Sequence, residues 1–275
     1  MHKLHNQTGF AHIAFVIIGV LVLGVGGYGL FRIIESKNNT YTAENAQAKG
    51  EASEVKIKNL PFEIDDYDPV TKRAGDFQFP DGELPEGVQK VIFSEFGYTN
   101  PGNSANNYQP MKSPQPTAYL APGTKIKAMI DGTVIDVIQL YSKDYSIHMQ
   151  GEGSDLIFEH EHVVKPTVKK GDKIKAGTAI ATASDIDTSK LQGLALFEMG
   201  ILKGGNPPTH LCMFDYLDSS IKQSTFAKIN ALKKSWETYK DDASLYDEAN
   251  TLIPGCISRD PISDNNNAVT GQRSE

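Results

Sequence analysis

Gly123-Thr-Lys-Ile-Lys-Ala128 and Gly171-Asp-Lys-Ile-Lys-Ala176 repeat one pattern, and each is followed by a Gly-Thr pair, Gly132-Thr133 or Gly177-Thr178. Each copy puts a glycine where a tight turn needs positive φ. A short lysine-flanked strand centred on Ile126 or Ile174 follows, and then a second turn glycine before another strand. The copies lie close together in the chain, which leaves room for one small closed β structure rather than two domains. Prolines at 80, 85, 101 and 114–122 mark loops ahead of it, so the compact β unit is expected over 91–202. Val55-Lys-Ile-Lys and Asp76-Phe-Gln-Phe alternate in the same way and suggest strands where the chain joins this unit.

After Asp218 the period changes from two to three and four. Phe226, Ile229, Leu232, Trp236 and Tyr239 form one apolar stripe with Lys228, Lys233, Lys234 and Lys240 between them, as expected of a helix packed on the β unit through one face. Cys212 follows the β unit and Cys256 follows the helical region. In an extracytoplasmic setting an isolated pair reads first as a disulfide, and closing so long a loop stabilises a fold by roughly 4 kcal/mol in the chain-entropy account. His210 and Cys212, alternating on one extended segment, leave a metal site as the second reading.

Upstream, Ile13–Phe31 carries no charge and is followed by Arg32. At ~1.5 Å per residue it approaches the ~30 Å of a bilayer core, and its glycines at 19, 24, 26, 27 and 29 are tolerated in membrane helices. A cleaved signal peptide would want a shorter run and a small-x-small site at its end. Here Arg32-Ile-Ile-Glu35 follows, so an uncleaved anchor is favoured. Gly9-Phe10 resembles a pilin-type leader junction, but Ala14 stands where a glutamate would be. Lysine and arginine counts hardly differ between the two flanks. The bulk of the chain is placed outside the cytoplasm because the head before the run is so short. The expected organisation is a head at 1–10, a transmembrane helix at 11–33 and a polar linker at 34–54. A β-rich domain at 55–218, a helical extension at 219–258 and a polar tail at 259–275 complete it.

The chain has 275 residues, 39% of them hydrophobic, and a net charge of −7. With no cluster of lysine and arginine, a nucleic-acid surface is not expected.

Residues 121–199 resemble the β core of the lysostaphin- and LytM-type zinc endopeptidases, the duplicated-hybrid-motif fold shared with lipoyl and biotinyl carriers. The resemblance rests on Ala121-Pro-Gly-Thr-Lys-Ile-Lys-Ala-Met-Ile-Asp-Gly-Thr-Val134, on Tyr145–His160, on Val168–Ile180 and on Leu194-Ala-Leu-Phe-Glu-Met199. It implies a mainly β fold, a LytM-like barrel or sandwich carrying the helical extension and preceded by the membrane helix. A modified lysine of the carrier type is not matched, since Asp187 occupies that place and Lys190 comes three residues late. The long coiled-coil hairpin of membrane-fusion adaptors has no counterpart between Ala128 and Gly171.

For chemistry the resemblance implies a loss. The family binds zinc through a His-x-x-x-Asp pair and the second histidine of His-x-His; the matching residues here are Pro114, Ala118 and Leu196. Leu194 replaces a catalytic histidine, and His160 falls at the position of the other. A hydrolytic zinc needs three protein ligands and an open position, which these side chains cannot supply, so zinc is not expected. Simple alternation puts Phe158, His160 and His162 on one face of a strand and Glu159 and Glu161 on the other. The two imidazoles are then about 6.6 Å apart at ~3.3 Å per residue. Leu194, Leu196 and Glu198 share a face likewise. His160, His162, Glu198, Leu194 and Leu196 are therefore the candidate binding residues, with His160, His162 and Glu198 as weak candidates for a rebuilt metal site. The expected protein is membrane-anchored and extracytoplasmic, with an inactive LytM-like domain that binds peptidoglycan or a cell-wall hydrolase. The alternative is an active peptidoglycan metalloendopeptidase with atypical ligands.

Overall fold

The computed structural model describes residues 54–84, 90–100, 110–205 and 207–263. The expected membrane run, the linker up to residue 53 and the tail beyond residue 263 lie outside them, whereas 259–263, expected as part of the polar tail, end in a strand at Ile262–Ser263; among the described residues no helix is long and apolar enough to cross a membrane.

Most of the strands join one sheet. Its path runs β1 (Arg73–Ala74), β2 (Phe77–Gln78), β6 (Thr117–Leu120), β13 (Ala195–Lys203), β10 (Ile157–Val164), β9 (Tyr145–Gln150), β8 (Gly132–Gln139) and β11 (Lys173–Ile174). β3 (Phe93–Ser94) pairs with β6, β12 (Ala179–Ala183) links β10 to β7 (Lys125–Lys127), and β14 (Thr209–Leu211) joins β13 to β15 (Ile262–Ser263). β4 (Thr99–Asn100) and β5 (Met111–Lys112) form a separate hairpin. Every described pairing between these strands is antiparallel, so alternate residues enter the core and long-range register is set by buried side chains.

The duplicated motif supplies β7 and β11 with the turns around them. Gly123 and Gly171 adopt φ of +86° and +94°, the left-handed conformation expected of the turn glycine. Gly132 is required for another reason: a Cβ there would lie 2.5 Å from the Gln150 carbonyl oxygen on the neighbouring strand. Of the segments expected to be strands where the chain joins the domain, Asp76–Phe79 yields β2, whereas 55–58 contributes only a bridge from Ile57 to Leu217.

The core is rich in edge-to-face aromatics. Phe62 packs against Phe77, Phe93 and Phe197 at centroid distances of 5.2, 6.4 and 6.0 Å. Helix α1 (Ser219–Lys240) closes one side through Ile229, Leu232 and Trp236, and the Asp218 carboxylate caps its first turn by accepting from the Ser220 N–H. The helix ends at Lys240, where Asp241 turns left-handed with φ 51°, and the rest of the expected helical extension is irregular apart from a 3-10 turn at Glu248–Asn250.

By sequence, Lys233 is one of the lysines interspersed with the apolar stripe of α1 and need not enter the core. Instead its side chain is buried, with Nζ 2.9 Å from Glu95 Oε2 and 5.0 Å from the Tyr246 ring centroid. Glu95 also accepts from the Gly255 N–H at 2.9 Å, beside Cys256. Cys212 and Cys256 form a disulfide with Cα atoms 6.0 Å apart, tying the strand exit to the segment after the helix. Thiol titration of the denatured, unreduced protein is expected to find no reactive sulfur; two reactive thiols would contradict the bridge.

Candidate functional site

The candidate histidines lie on β10, the strand between β9 and β13. Up to His160 the register is regular: Glu159 stands opposite His148 and Gly200, and His160 opposite Ile147 and Met199. The pairing with β9 then jumps from His160–Ile147 to Val163–Tyr145, a bulge in which His162 takes φ 54°. A bulge inserts one residue and reverses the alternation beyond it. His160 and Val163 therefore stay in the core, while Glu161 and His162 are both delivered to the polar face. This corrects the expectation that the two histidines share a face.

His160 is fully buried in the core. Its Nε2 accepts from the Met129 N–H at 3.3 Å, which places the ring proton on Nδ1, an atom without a hydrogen-bond partner. Burial drives its pKa down to about 4, so it stays neutral; the Ile147 carbonyl raises its proton affinity somewhat without satisfying Nδ1. A core imidazole of this kind is a packing element and presents nothing to a ligand.

His162 belongs to a polar bed across β9, β10, β13 and β6. Its Nδ1 lies 2.9 Å from Asp144 Oδ2, and its Nε2 is 3.8 Å from Glu198 Oε2. Burial disfavours its charge, but the Asp144 hydrogen bond and the Glu198 and Glu161 carboxylates outweigh that and raise its pKa to about 9. His148 Nε2 similarly meets Glu159 Oε1 at 2.9 Å, and Ser146 donates to the same oxygen at 3.0 Å. Here too burial opposes charge on both partners, and their mutual contact prevails: Glu159 is held below the usual carboxylate range and His148 above the usual imidazole value. Gln115 Nε2 bridges Glu159 and Glu161 at 2.8 and 2.9 Å, and the Thr117 hydroxyl donates to Glu198 at 3.2 Å. Glu161 directly faces Glu198 across the sheet. Burial, reinforced by Glu159 and Glu198, lifts the Glu161 pKa to about 8, and burial lifts that of Glu198 as well.

The remaining candidates divide. Leu196 alternates with Glu198 on β13, whereas Leu194 precedes that strand and is completely buried. Exposed Tyr141, on the β8–β9 turn, feels Glu198, Glu161, Asp144 and Asp187, and Ile186 lies exposed beside Asp187 on the β12–β13 loop. Asp144, His148, Glu159, Glu161, Gln115 and Thr117 join the bed although none was a sequence candidate. The alternation of Glu159 and Glu161 was the one visible signal of a polar face.

The zinc implied by the resemblance does not fit this donor set. Ala118, Leu194 and Leu196 offer no lone pairs, and among the described residues no group of three His, Cys, Asp or Glu side chains is arranged to hold a metal ion. The bed can exchange hydrogen bonds and charge with a polar ligand.

No protein-family model matches the chain, and neither does any curated protein sequence. Among solved structures it is similar to the antimicrobial peptidase lysostaphin from Staphylococcus simulans, at 14% identity over 56% of this chain and 50% of that one with a TM-score of 0.35. A zinc-containing peptidase from Vibrio cholerae matches at 19% identity over 58% and 40%, TM-score 0.36. The SpoIIQ–SpoIIIAH pore-forming complex matches at 17% over 52% and 97%, TM-score 0.34. The chain spans about half the length of lysostaphin. With the lysostaphin- and LytM-type zinc peptidases among these matches the similarity is one of fold.

Proposed function

We propose that this is a membrane-anchored, extracytoplasmic protein whose LytM-like domain does not hydrolyse peptide bonds. It serves as a cell-envelope binding or regulatory module with peptidoglycan or a cell-wall hydrolase as partner. The observation that carries this reading is the replacement of donor atoms by buried aliphatic ones: Ala118 and Leu194 are fully enclosed, and Leu196 backs onto Ser184 and Tyr119. The polar bed supports binding, because its carboxylates and imidazoles are already committed to one another and would meet a ligand as a fixed array. The Cys212–Cys256 bridge supports an oxidising compartment.

The test is metal analysis of the purified full chain together with incubation on peptidoglycan and glycine-rich peptides. The expected result is no stoichiometric zinc and no cleavage. One tightly held zinc per chain, with turnover abolished by a chelator, would establish the peptidase alternative instead.

A further inference from the structure

The end of the domain where the chain arrives from residue 54 is also its lysine-rich end. Val55 packs against Gly151, where an added Cβ would lie 2.5 Å from the valine methyl. The Lys58 N–H donates to the Met129 carbonyl at 2.9 Å, and Lys58 Nζ reaches Asp131 Oδ2 at 3.0 Å. Lys175 Nζ approaches the same oxygen at 3.8 Å, so two lysines share one carboxylate. Lys173 and Lys175 line an open cleft of about 700 Å³ with Asp131, Glu152 and the glycine-rich backbone around Gly132 and Gly151. The adjoining turn adds exposed Lys169 and Lys170, positioned by the Gly171 N–H on the Val134 carbonyl. The half-buried Asp172 sits in the same turn, its carboxylate accepting from the Lys169 N–H at 2.9 Å. No carboxylate among the described residues lies within ion-pairing reach of Lys169, Lys170 or Lys173. A chain of net charge −7 thus keeps exposed lysines on the edge strand β11 and the turn before it, while Glu159 and Glu198 are buried on β10 and β13, three and four strands away along the sheet.

We propose that this edge, with Lys169, Lys170, Lys173 and Lys175 at its centre, is a contact surface for anionic phospholipid headgroups and orients the domain on the bilayer that anchors it. The inference rests on the anchored reading of Proposed function. Residues 32–53 can span at most about 75 Å at ~3.4 Å per residue, and they join the domain at this end, so the lysine edge is the end through which the domain is tethered. Attraction to anionic lipid fades beyond a Debye length, ~10 Å at 0.1 M salt, which makes the arrangement salt-sensitive.

The full chain is placed in nanodiscs of phosphatidylcholine alone or of phosphatidylcholine with phosphatidylglycerol, and lysine acetylation is followed by mass spectrometry. Lys169, Lys170, Lys173 and Lys175 are expected to react several-fold more slowly on the anionic discs, with the protection lost at high salt. Lys222 and Lys234 on α1 serve as controls and should not change. Lys169→Ser, Lys170→Ser and Lys173→Ser together, all at exposed positions, should abolish the protection of Lys175. A chain that remains with the discs but is labelled equally on both would overturn this proposal and leave the anchor standing. A chain that fails to elute with the discs would overturn the anchor and the orientation together.

Discussion

Glu95→Ala is expected to destabilise the domain by about 3–5 kcal/mol, the usual cost of leaving one partner of a buried ion pair uncompensated. The Lys233 ammonium, enclosed between α1, the Tyr246 ring and β3, would lose its counter-ion, and the Gly255 N–H would lose its acceptor at the same time. Tyr246 is itself tied to the helix by its N–H on Glu237 Oε1 at 3.3 Å, so the helix, the disulfide segment and the sheet loosen together. Lys233→Met keeps the apolar stem and should cost less, since Glu95 retains the Gly255 N–H. The Glu95→Ala/Lys233→Met double variant should then be more stable than the sum of the single losses predicts. Denaturant unfolding measures all of these. Single losses below about 1 kcal/mol, or strict additivity, would show that the pair does not hold the helix to the sheet.

How far the sequence carried differs between fold and site, and the reason is the range of the interactions. The Gly-Thr-Lys-Ile-Lys-Ala and Gly-Asp-Lys-Ile-Lys-Ala copies encode local turns and short strands, so both were legible, as was the α1 stripe of Ile229, Leu232 and Trp236. Two cysteines admit one intrachain pairing. Lys233, four residues after Ile229 and three before Trp236, lies on the face of the stripe by helical period, but nothing local indicates that a lysine there is buried; that depends on Glu95, far away in the chain. The histidines were misread for a related reason. Alternation holds only while the ladder is regular, and the bulge at Glu161–His162 requires a left-handed backbone at a histidine, for which no glycine gives notice. Asp144, which holds His162 in that conformation, comes from a different hairpin. The polar bed is thus a product of tertiary register and could not have been assembled from β10 alone.

That register makes the domain's stability depend on alkaline pH, and Glu161→Gln is the variant that exposes it. The folded-state pKa of Glu161 is raised from 4.5 to about 8, so the native state holds a proton that the unfolded chain releases. Its contribution is therefore complete in acid and declines as pH climbs from about 4.5 to 8. His162, raised from 6.5 to about 9 chiefly through Asp144 against the opposing effect of burial, contributes stability fully present below pH 6.5 and lost as pH passes 9. The two act in the same direction. Asp144 and Glu159, whose pKa values are lowered, act oppositely in strong acid, and His160, lowered by burial from 6.5 to about 4, acts oppositely as pH falls between those values. The wild-type melting temperature should accordingly change little in mild acid and fall steadily from about pH 6.5 toward pH 9. A glutamine at 161 cannot ionise, and its amide oxygen can still accept from Gln115. The substitution is expected to recover stability at pH 9, on the order of a few kcal/mol, and little at pH 5, so the two melting curves diverge as pH rises. Equal slopes for both proteins from pH 5 to pH 9 would mean that Glu161 is already ionised beside Glu159 and Glu198, and that the bed is wetter and more open than its burial indicates.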